Sequence, residues 1–316
     1  MRFAVAVMLT LLATTATAQY PAKPVRLVVP ILAGGPLDAV ARVVSQSMAQ
    51  GLGQSVVIDN RPGADGAIAA QAVLSSPPDG YTLFFTNNTA VIGAPLLNKS
   101  VTYDTLNDFS PVSFVGRMTL VIWAHPDSPT RSIQEMVAFA KANPGKLTYA
   151  TNTIGDVIAG AQLLNAAGVS MLRVPYKGAA QSVPEVVAGR VNMVIAPIGA
   201  GLGLMKENRL RGLAVILPSR SPAAPDIPTI AEAGLPSVSV TTWAAIFGPR
   251  NLPREATARL ADEMAKVVQR PDTRAQFDKL GFRPEATTPE GLASLVKQEL
   301  GVWAKIIKEN GITQDQ

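Results

Sequence analysis

Glycine-rich turns that lead into helices are the part of this sequence best suited to chemistry. Ala33-Gly34-Gly35 follows the apolar strand-like run RLVVP, and a helical pattern begins directly afterwards at Pro36. Glycines let the backbone approach a bound molecule closely, and the first N–H groups of a helix have no acceptor within it. The junction therefore predicts an anion-binding turn, although a merely tight turn has the same composition. Asp38 is either an acid matched to the helix dipole or a ligand contact.

A second junction of this kind is Pro175-Tyr176-Lys177-Gly178, which offers a phenol, an ammonium group and a flexible glycine ahead of another helix. Taken alone, it is more simply explained as a solvated turn. Two donor-rich turns at the carboxyl ends of parallel strands, one in each lobe, are what an anion site between lobes requires. Thr86-Asn87-Asn88 and Thr151-Asn152 follow other strand-like runs and supply neutral donors and acceptors.

The residue types that enzymes use most often are scarce. The chain has no cysteine, and its single histidine, His125, stands alone in a proline-containing turn. No nucleophile motif or phosphate loop is present, so we expect neither an enzyme nor a bound cofactor or metal ion. A pair of catalytic carboxylates needs no motif and stays open as an alternative.

The N-terminus has the pattern of a secretory signal. Arg2 precedes an apolar stretch that is too short to span a bilayer, and Ala16-Thr17-Ala18 fits a cleavage site. We expect residues 1–18 to be removed and the mature chain to be exported to the periplasm. Removal of Arg2 lowers the formal net charge from +5 to +4. This mild basicity is spread along the chain and predicts no nucleic-acid partner.

Strands and helices alternate twice along the chain, so the fold class predicted is α/β, with two mostly parallel sheets and a cleft between two lobes. The first lobe is assigned to residues 19–120 and 238–316, and the second to residues 121–237. Two strand-like runs within 108–126 and a strand over 241–249 are predicted to connect the lobes. Helices near the second-lobe turns are predicted over 158–167 and 182–189.

A family resemblance joins these segments. PVRLVVP with AGG and DAVAR, then VVIDNRPGADG, SSPPDGYTL, NPGKLTYA, VPYKG and PDIPTIAEAGLP occur in the order typical of one family. The chain resembles the tripartite tricarboxylate transporter substrate-binding proteins, also called the Bug family, over nearly the whole mature sequence. The resemblance implies a periplasmic binding protein of the type II-like, Venus flytrap class. It further implies that the AGG-to-Asp38 turn and the VPYKG turn grip the carboxylate of a small organic ligand, often through ordered water.

The resemblance also implies that integral membrane transporter subunits receive the ligand, and we expect the binding protein itself to be a monomer. A ligand-sensing module for a signalling receptor is an alternative, and a periplasmic carboxylic-acid hydrolase or isomerase is a more distant one. The ligand-binding residues expected on these grounds are Ile31, Ala33, Gly34, Gly35, Asp38, Thr86, Asn87, Asn88, Thr151, Asn152, Tyr176, Lys177, Gly178 and Ala196.

Several positions depart from the family pattern. Pro36 and Leu37 stand where relatives have a glycine and a threonine, residues 154–158 include a new acid, Asp156, and Ala196 replaces a frequent aspartate or asparagine. One interpretation is loop drift with unchanged backbone binding. The other is a less polar distal pocket that favours an aromatic or branched monocarboxylate, because unpaired polar groups in a site are costly.

Overall fold

Residues 20–238 and 240–313 are described by the computed structural model of this chain, and the predicted signal peptide, residues 1–18, lies outside them. The strands are β1 (Val25–Val29), β2 (Val56–Asn60), β3 (Thr82–Asn87), β4 (Phe109–Met118), β5 (Leu120–Ala124), β6 (Thr148–Thr151), β7 (Leu172–Pro175), β8 (Met193–Pro197), β9 (Arg211–Ile216), β10 (Thr242–Pro249) and β11 (Phe282–Pro284).

The α-helices are α1 (Pro36–Leu52), α2 (Ala67–Leu74), α3 (Ala94–Leu97), α4 (Thr105–Asp108), α5 (Ile133–Ala142), α6 (Ile154–Ala167), α7 (Ala179–Val187), α8 (Leu202–Lys206), α9 (Arg254–Val267), α10 (Pro271–Lys279) and α11 (Pro289–Glu309). Short 3-10 turns cover Ala64–Gly66 and Ile198–Ala200, and a π-helical segment covers Thr89–Gly93.

The strands form two sheets. The first is six-stranded, in the order β11-β4-β10-β3-β1-β2, and the second is five-stranded, in the order β7-β6-β8-β5-β9. β1 pairs in parallel with β2 and β3, and β6 pairs in parallel with β7 and β8. β10 and β5 run antiparallel to both of their neighbours. β11 also runs antiparallel to β4, so four of the strand pairs in the described residues are parallel and five are antiparallel. The predicted α/β class with two sheets is confirmed, but the sheets are mixed and not mostly parallel, because β5 and β10 reverse direction after the two passages of the chain between the sheets.

Continuous apolar runs explain the central strands. β1 is buried along most of its length, as a parallel strand covered on both faces must be. One cluster of buried apolar side chains includes members of both lobes, among them Trp243 and Ile158. The indole N–H of Trp243 donates to Glu299 Oε2 at 2.6 Å, which satisfies its only polar atom inside this core.

Thr119 is the single residue between the two sheets on the first passage. Its N–H donates to the carbonyl of Gly281 in the first lobe at 3.3 Å, and its carbonyl accepts from the N–H of Ile198 in the second at 2.8 Å. The chain returns between Ile216 and Thr242. The lobe boundaries at 120/121 and 237/238 stay predictions, and Thr119 ties the sheets together at the bottom of the cleft.

Two helices begin earlier than the sequence pattern predicts. α6 starts at Ile154 instead of 158, because Thr153 and Asp156 form a capping box ahead of the apolar periodicity. α7 starts at Ala179 instead of 182, with Gly178 as its extended cap residue. Both shifts bring a helix N-terminus to the carboxyl end of its preceding strand, where ligands bind in open α/β sheets.

No helix within residues 20–238 and 240–313 is long and apolar enough to cross a membrane. The same residues contain no group of three or more histidine, aspartate or glutamate side chains placed to hold a metal ion.

Candidate functional site

A cavity of about 400 Å³ lies between the lobes where β1 and β7 end, and we call it the proximal cavity. Its walls come from the β1–α1 turn, the passage at Thr119, the start of α7, the end of β8 and the end of α10. The lining residues are Gly34, Gly35, Pro36, Ala39, Val40, Met118, Thr119, Ala179, Ala180, Val183, Pro184, Pro197, Gly199, Ala200, Lys279, Leu280 and Gly281.

Two helix N-termini from opposite lobes contribute to this cavity. α1 has Gly35 as cap residue and Pro36 at its first position, and α7 has Gly178 as cap residue. Neither helix start carries a side-chain capping hydrogen bond. Pro36 has no N–H group and the Gln181 N–H donates to the Gly178 carbonyl at 2.9 Å. The other first-turn N–H groups lack acceptors within each helix, and the helix dipoles place partial positive charge there. The two turns are therefore suited to an anionic head group.

Two further side chains in the lining point to the same chemistry. Lys279 is the only charged residue among those that line the cavity, and it makes no ion pair within the described residues. The hydroxyl of Thr119, a residue only 1% exposed, has no hydrogen-bond partner there. Most of the remaining wall is apolar, so the cavity suits an anionic head with an apolar body.

Asp38 lies beneath the β1–α1 turn and is 1% exposed. Its Oδ2 atom accepts from the Gly34 N–H at 3.0 Å and from Arg42 Nε at 2.7 Å, and its Oδ1 atom accepts from Asn60 Nδ2 at 2.9 Å. Burial alone would raise the pKa of Asp38, but the hydrogen bonds from Arg42, Gly34 and Asn60 outweigh it and lower the pKa. Of the two interpretations left open by the sequence, this geometry favours the first-turn acid, which fixes the turn rather than presenting itself to a ligand.

Replacing Asp38 with alanine is expected to loosen the turn. The change leaves the Gly34 N–H and the Asn60 amide without their acceptor, which costs about 1–2 kcal/mol of unfolding free energy. Because the cavity-lining glycines then lose their fixed position, carboxylate affinity should fall roughly tenfold. Urea unfolding and titration calorimetry measure the two effects. Asp79→Ala, which removes an exposed acid paired with Lys23, is the control. Unchanged affinity in Asp38→Ala would contradict the positioning role.

A second, smaller cavity of about 230 Å³ lies where β6 and β7 end, and we call it the distal cavity. Thr151, Asn152 and Tyr176 line it from the second lobe, and Asp65 lines it from the first. Arg173 also lines it, with its Nη1 atom 3.3 Å from Thr151 Oγ1. The Asn152 Oδ1 atom is buried and lacks a partner within the described residues.

Asp156 occupies the start of α6 beside this cavity. Its Oδ2 atom accepts from the N–H groups of Asn152 and Thr153 at 3.0 and 3.1 Å, and its own N–H donates to Thr153 Oγ1 at 3.3 Å. Burial raises the pKa of Asp156 to about 6 against the opposing effect of these hydrogen bonds. The N–H groups of the two residues that precede α6 are thus already bound to a carboxylate of the chain itself.

The residues predicted to bind the ligand fall into three groups. Gly34 and Gly35 line the proximal cavity, and Thr151, Asn152 and Tyr176 line the distal one. The remaining members of the two turns lie next to these walls but line neither cavity; they are Ile31, Ala33, Asp38, Lys177 and Gly178.

The third group is buried behind the cleft. Asn87 Oδ1 accepts from the Ala90 N–H at 3.3 Å, and Asn88 Nδ2 donates to the Thr241 carbonyl at 2.8 Å. Thr86 and Ala196 are fully buried, and Ala196 lies in β8 opposite Val121. These residues line neither of the two cavities, because the segment that follows β3 covers its end, and Ala196 is buried inside the sheet one residue before the lining residue Pro197.

Sequence reasoning missed Thr119, Ala180 and Lys279. A polar residue between two apolar strand runs is a weak signal for Thr119, since it marks the passage between lobes. Lys279 follows the first-lobe turns by more than 200 residues, and no local pattern connects it with them.

Comparison with known proteins agrees with this geometry. The family model described as the tripartite tricarboxylate transporter family receptor matches residues 40–312. The UPF0065 protein in the tcbD-tcbE intergenic region of Pseudomonas sp. (strain P51) is 37% identical over 300 residues, which cover 94% of this chain and 89% of that protein.

Solved structures are similar over nearly the whole chain. R. palustris Rpa4515 with adipate superposes with a TM-score of 0.88 at 30% identity, covering 93% of this chain and 99% of the other. Periplasmic binding protein BugD superposes with a TM-score of 0.84 at 30% identity and the same coverage. The predicted family and fold are confirmed: this chain belongs to the tripartite tricarboxylate transporter receptors, the family of the Bug proteins, and has their two-lobe periplasmic binding protein fold.

Proposed function

We propose that this chain captures a small organic carboxylate in the cleft and delivers it, chemically unchanged, to the integral membrane subunits of a tripartite tricarboxylate-type transporter. The chain acts in the periplasm after removal of residues 1–18. The observation that carries the proposal is the meeting of two helix N-termini, one from each lobe, in a cavity with one cation and one unpartnered buried hydroxyl. The adipate in the R. palustris relative supports a carboxylate as the class of ligand.

The mechanism requires binding without catalysis. The ligand carboxylate accepts hydrogen bonds from the start of α1 in the first lobe and from the start of α7 in the second. A ligand favours the closed form only through contacts that the open form lacks, and contacts to both lobes meet that condition. Thr119 joins the sheets at the base of the cavity, so a change at this passage moves one wall relative to the other.

The proposal is tested with the purified mature protein and a panel of monocarboxylates, dicarboxylates, hydroxy acids and amino acids. A bound ligand raises the unfolding temperature, because it binds only the native state, and calorimetry then gives its affinity. Chromatography of the ligand recovered after incubation should return it unaltered. Failure of every carboxylate to bind, or conversion of a bound one, would refute the proposal.

Lys279→Gln is expected to weaken carboxylate binding roughly three- to fivefold, the size typical of an exposed ion pair. The difference from the unchanged protein should shrink as salt is raised, because exposed charges are screened. Calorimetry at about 20 mM and 300 mM salt measures both effects, spanning the range over which the Debye length falls. Lys308→Gln, at the far end of α11, removes the same charge away from the cavity and should leave the affinity unchanged. An equal loss in both variants would show that Lys279 acts only through net charge.

A further inference from the structure

The N-terminus of α6 differs from the other two helix starts at the cleft. α7 has no acid in its first turn, and the acid in the first turn of α1, Asp38, is held by Gly34, Arg42 and Asn60. In α6 the first-turn acid is Asp156, whose carboxylate accepts hydrogen bonds from the N–H groups of Asn152 and Thr153, the two residues that precede the helix. The Asp38 carboxylate thus takes one N–H group and is paired with Arg42, whereas the Asp156 carboxylate takes two N–H groups and makes no ion pair within the described residues.

The Asp156 carboxylate lies behind the wall of the distal cavity, since the residue is only 3% exposed. Asn152, Thr153 and Ile154 line the distal cavity, and Asp156 bonds to the first two of them. The first turn of α6 also packs directly against the first lobe, since a Cβ atom on Gly93 would lie only 2.7 Å from Ile154 Cγ2.

The charged residues that line the distal cavity do not compensate the negative charge of Asp156. Arg173 is the one cation that lines the distal cavity, and Asp65 lines it from the other lobe. Together with Asp156, the acids at this end outnumber the bases. The proximal cavity has the opposite balance, because Lys279 is the only charged residue in its lining and Asp38, behind its wall, is paired with Arg42. One carboxylate is thus accommodated at the proximal end, and a second has no favourable position at the distal end.

We infer that Asp156 is a specificity-determining residue which takes the position of a second ligand carboxylate, so that the cleft selects monocarboxylates with an apolar body over dicarboxylates of the same length. This inference rests on the proposed function, since it names the substrate class of the same site. It also assigns a physical cause to the less polar distal pocket expected from the sequence, because the N–H groups of Asn152 and Thr153 are already bonded to Asp156.

Matched ligand pairs test the inference. Hexanoate and adipate have the same number of carbons, as do toluate and terephthalate, and each pair differs by one carboxylate. In the unchanged protein at pH 7.5, we expect the monocarboxylate of at least one pair to bind at least tenfold more tightly than its dicarboxylate. Dicarboxylates that bind as tightly as their partners would overturn the inference and leave the proposed function standing. If neither carboxylate class binds, the proposed function itself fails.

Two substitutions assign the selectivity to Asp156. Asp156→Asn keeps an oxygen acceptor for Asn152 and Thr153 but removes the charge, and Asp156→Ala also frees the two N–H groups. Dicarboxylate affinity should rise at least fivefold in Asp156→Asn and further in Asp156→Ala, with little change for the monocarboxylate. Asp262→Asn, an exposed acid on α9, is the control for net charge. A mono-to-dicarboxylate ratio that stays at the unchanged protein's value in folded Asp156→Asn would overturn the role of this residue.

Discussion

Replacing Ala180 with glutamate is expected to weaken carboxylate binding at least thirtyfold, or about 2 kcal/mol. Ala180 is exposed in the first turn of α7 and lines the proximal cavity. A carboxylate at this position is favoured by the helix dipole, so the fold should tolerate it. The same carboxylate repels the ligand's charge at short range, and two like charges about 5 Å apart near a protein surface repel by about 3 kcal/mol.

Ala180→Gln is the matched variant, because it adds nearly the same volume without the charge. We expect it to weaken binding less than fivefold. Calorimetry with the tightest ligand of the panel gives the affinities, and the unfolding temperature of each free protein shows that the fold is intact. Equal losses in the two variants would mean that volume, and not charge, decides binding at the start of α7. Full affinity in Ala180→Glu would place the ligand carboxylate elsewhere.

Replacing Gly281 with alanine is expected to lower the unfolding free energy by about 3 kcal/mol, since it combines left-handed strain with overpacking. Gly281 has φ +64°, and a Cβ atom built on it would lie 1.8 Å from Cγ2 of the fully buried Ile198. The two residues belong to different lobes, and the Gly281 carbonyl accepts from Thr119 at the passage between them. The clash therefore pushes the lobes apart at the wall of the proximal cavity.

Urea unfolding separates the two causes. Gly168 caps α6 with φ +61° and has nothing within 4 Å of the added Cβ atom, so Gly168→Ala carries the backbone strain alone. We expect Gly168→Ala to lower the unfolding free energy by about 1 kcal/mol. In an Ile198→Ala background the cost of Gly281→Ala should fall toward the same value, as expected when two residues share one contact. A cost for Gly281→Ala no larger than that for Gly168→Ala would show that Ile198 moves aside freely.

Local patterns account for most of the predicted elements. The strand-like run PVRLVVP at 24–30 predicts β1, which is observed at Val25–Val29, because continuous hydrophobicity and flanking prolines are signals carried by the segment itself. The starts of α6 and α7 were placed too late, because the apolar periodicity begins after the first turn. The capping box of Thr153 and Asp156 was the signal that would have corrected α6.

The candidate site likewise has parts that the local sequence predicts and parts that only the tertiary structure brings together. The two glycine turns are predictable, since a strand, a glycine and a helix start follow one another within a few residues. The ion pair between Asp38 and Arg42 can also be predicted from the sequence, because the two residues are four positions apart on one helix. Asn60, which completes the bonding of the same carboxylate, is 22 residues away and is brought there by the pairing of β1 with β2.

The sequence by itself determined the α/β class, the family and the existence of two anion-suited turns, because each of these is encoded by residues close together along the chain. The tertiary structure alone decided what each helix start is free to bind. Gly34 gives its N–H to Asp38, Asn152 and Thr153 give theirs to Asp156, and the start of α7, which has no side-chain cap, lines the same cavity as Lys279. These differences depend on which acceptor lies within hydrogen-bond distance of a donor, and the chain settles that distance only when the two lobes fold together.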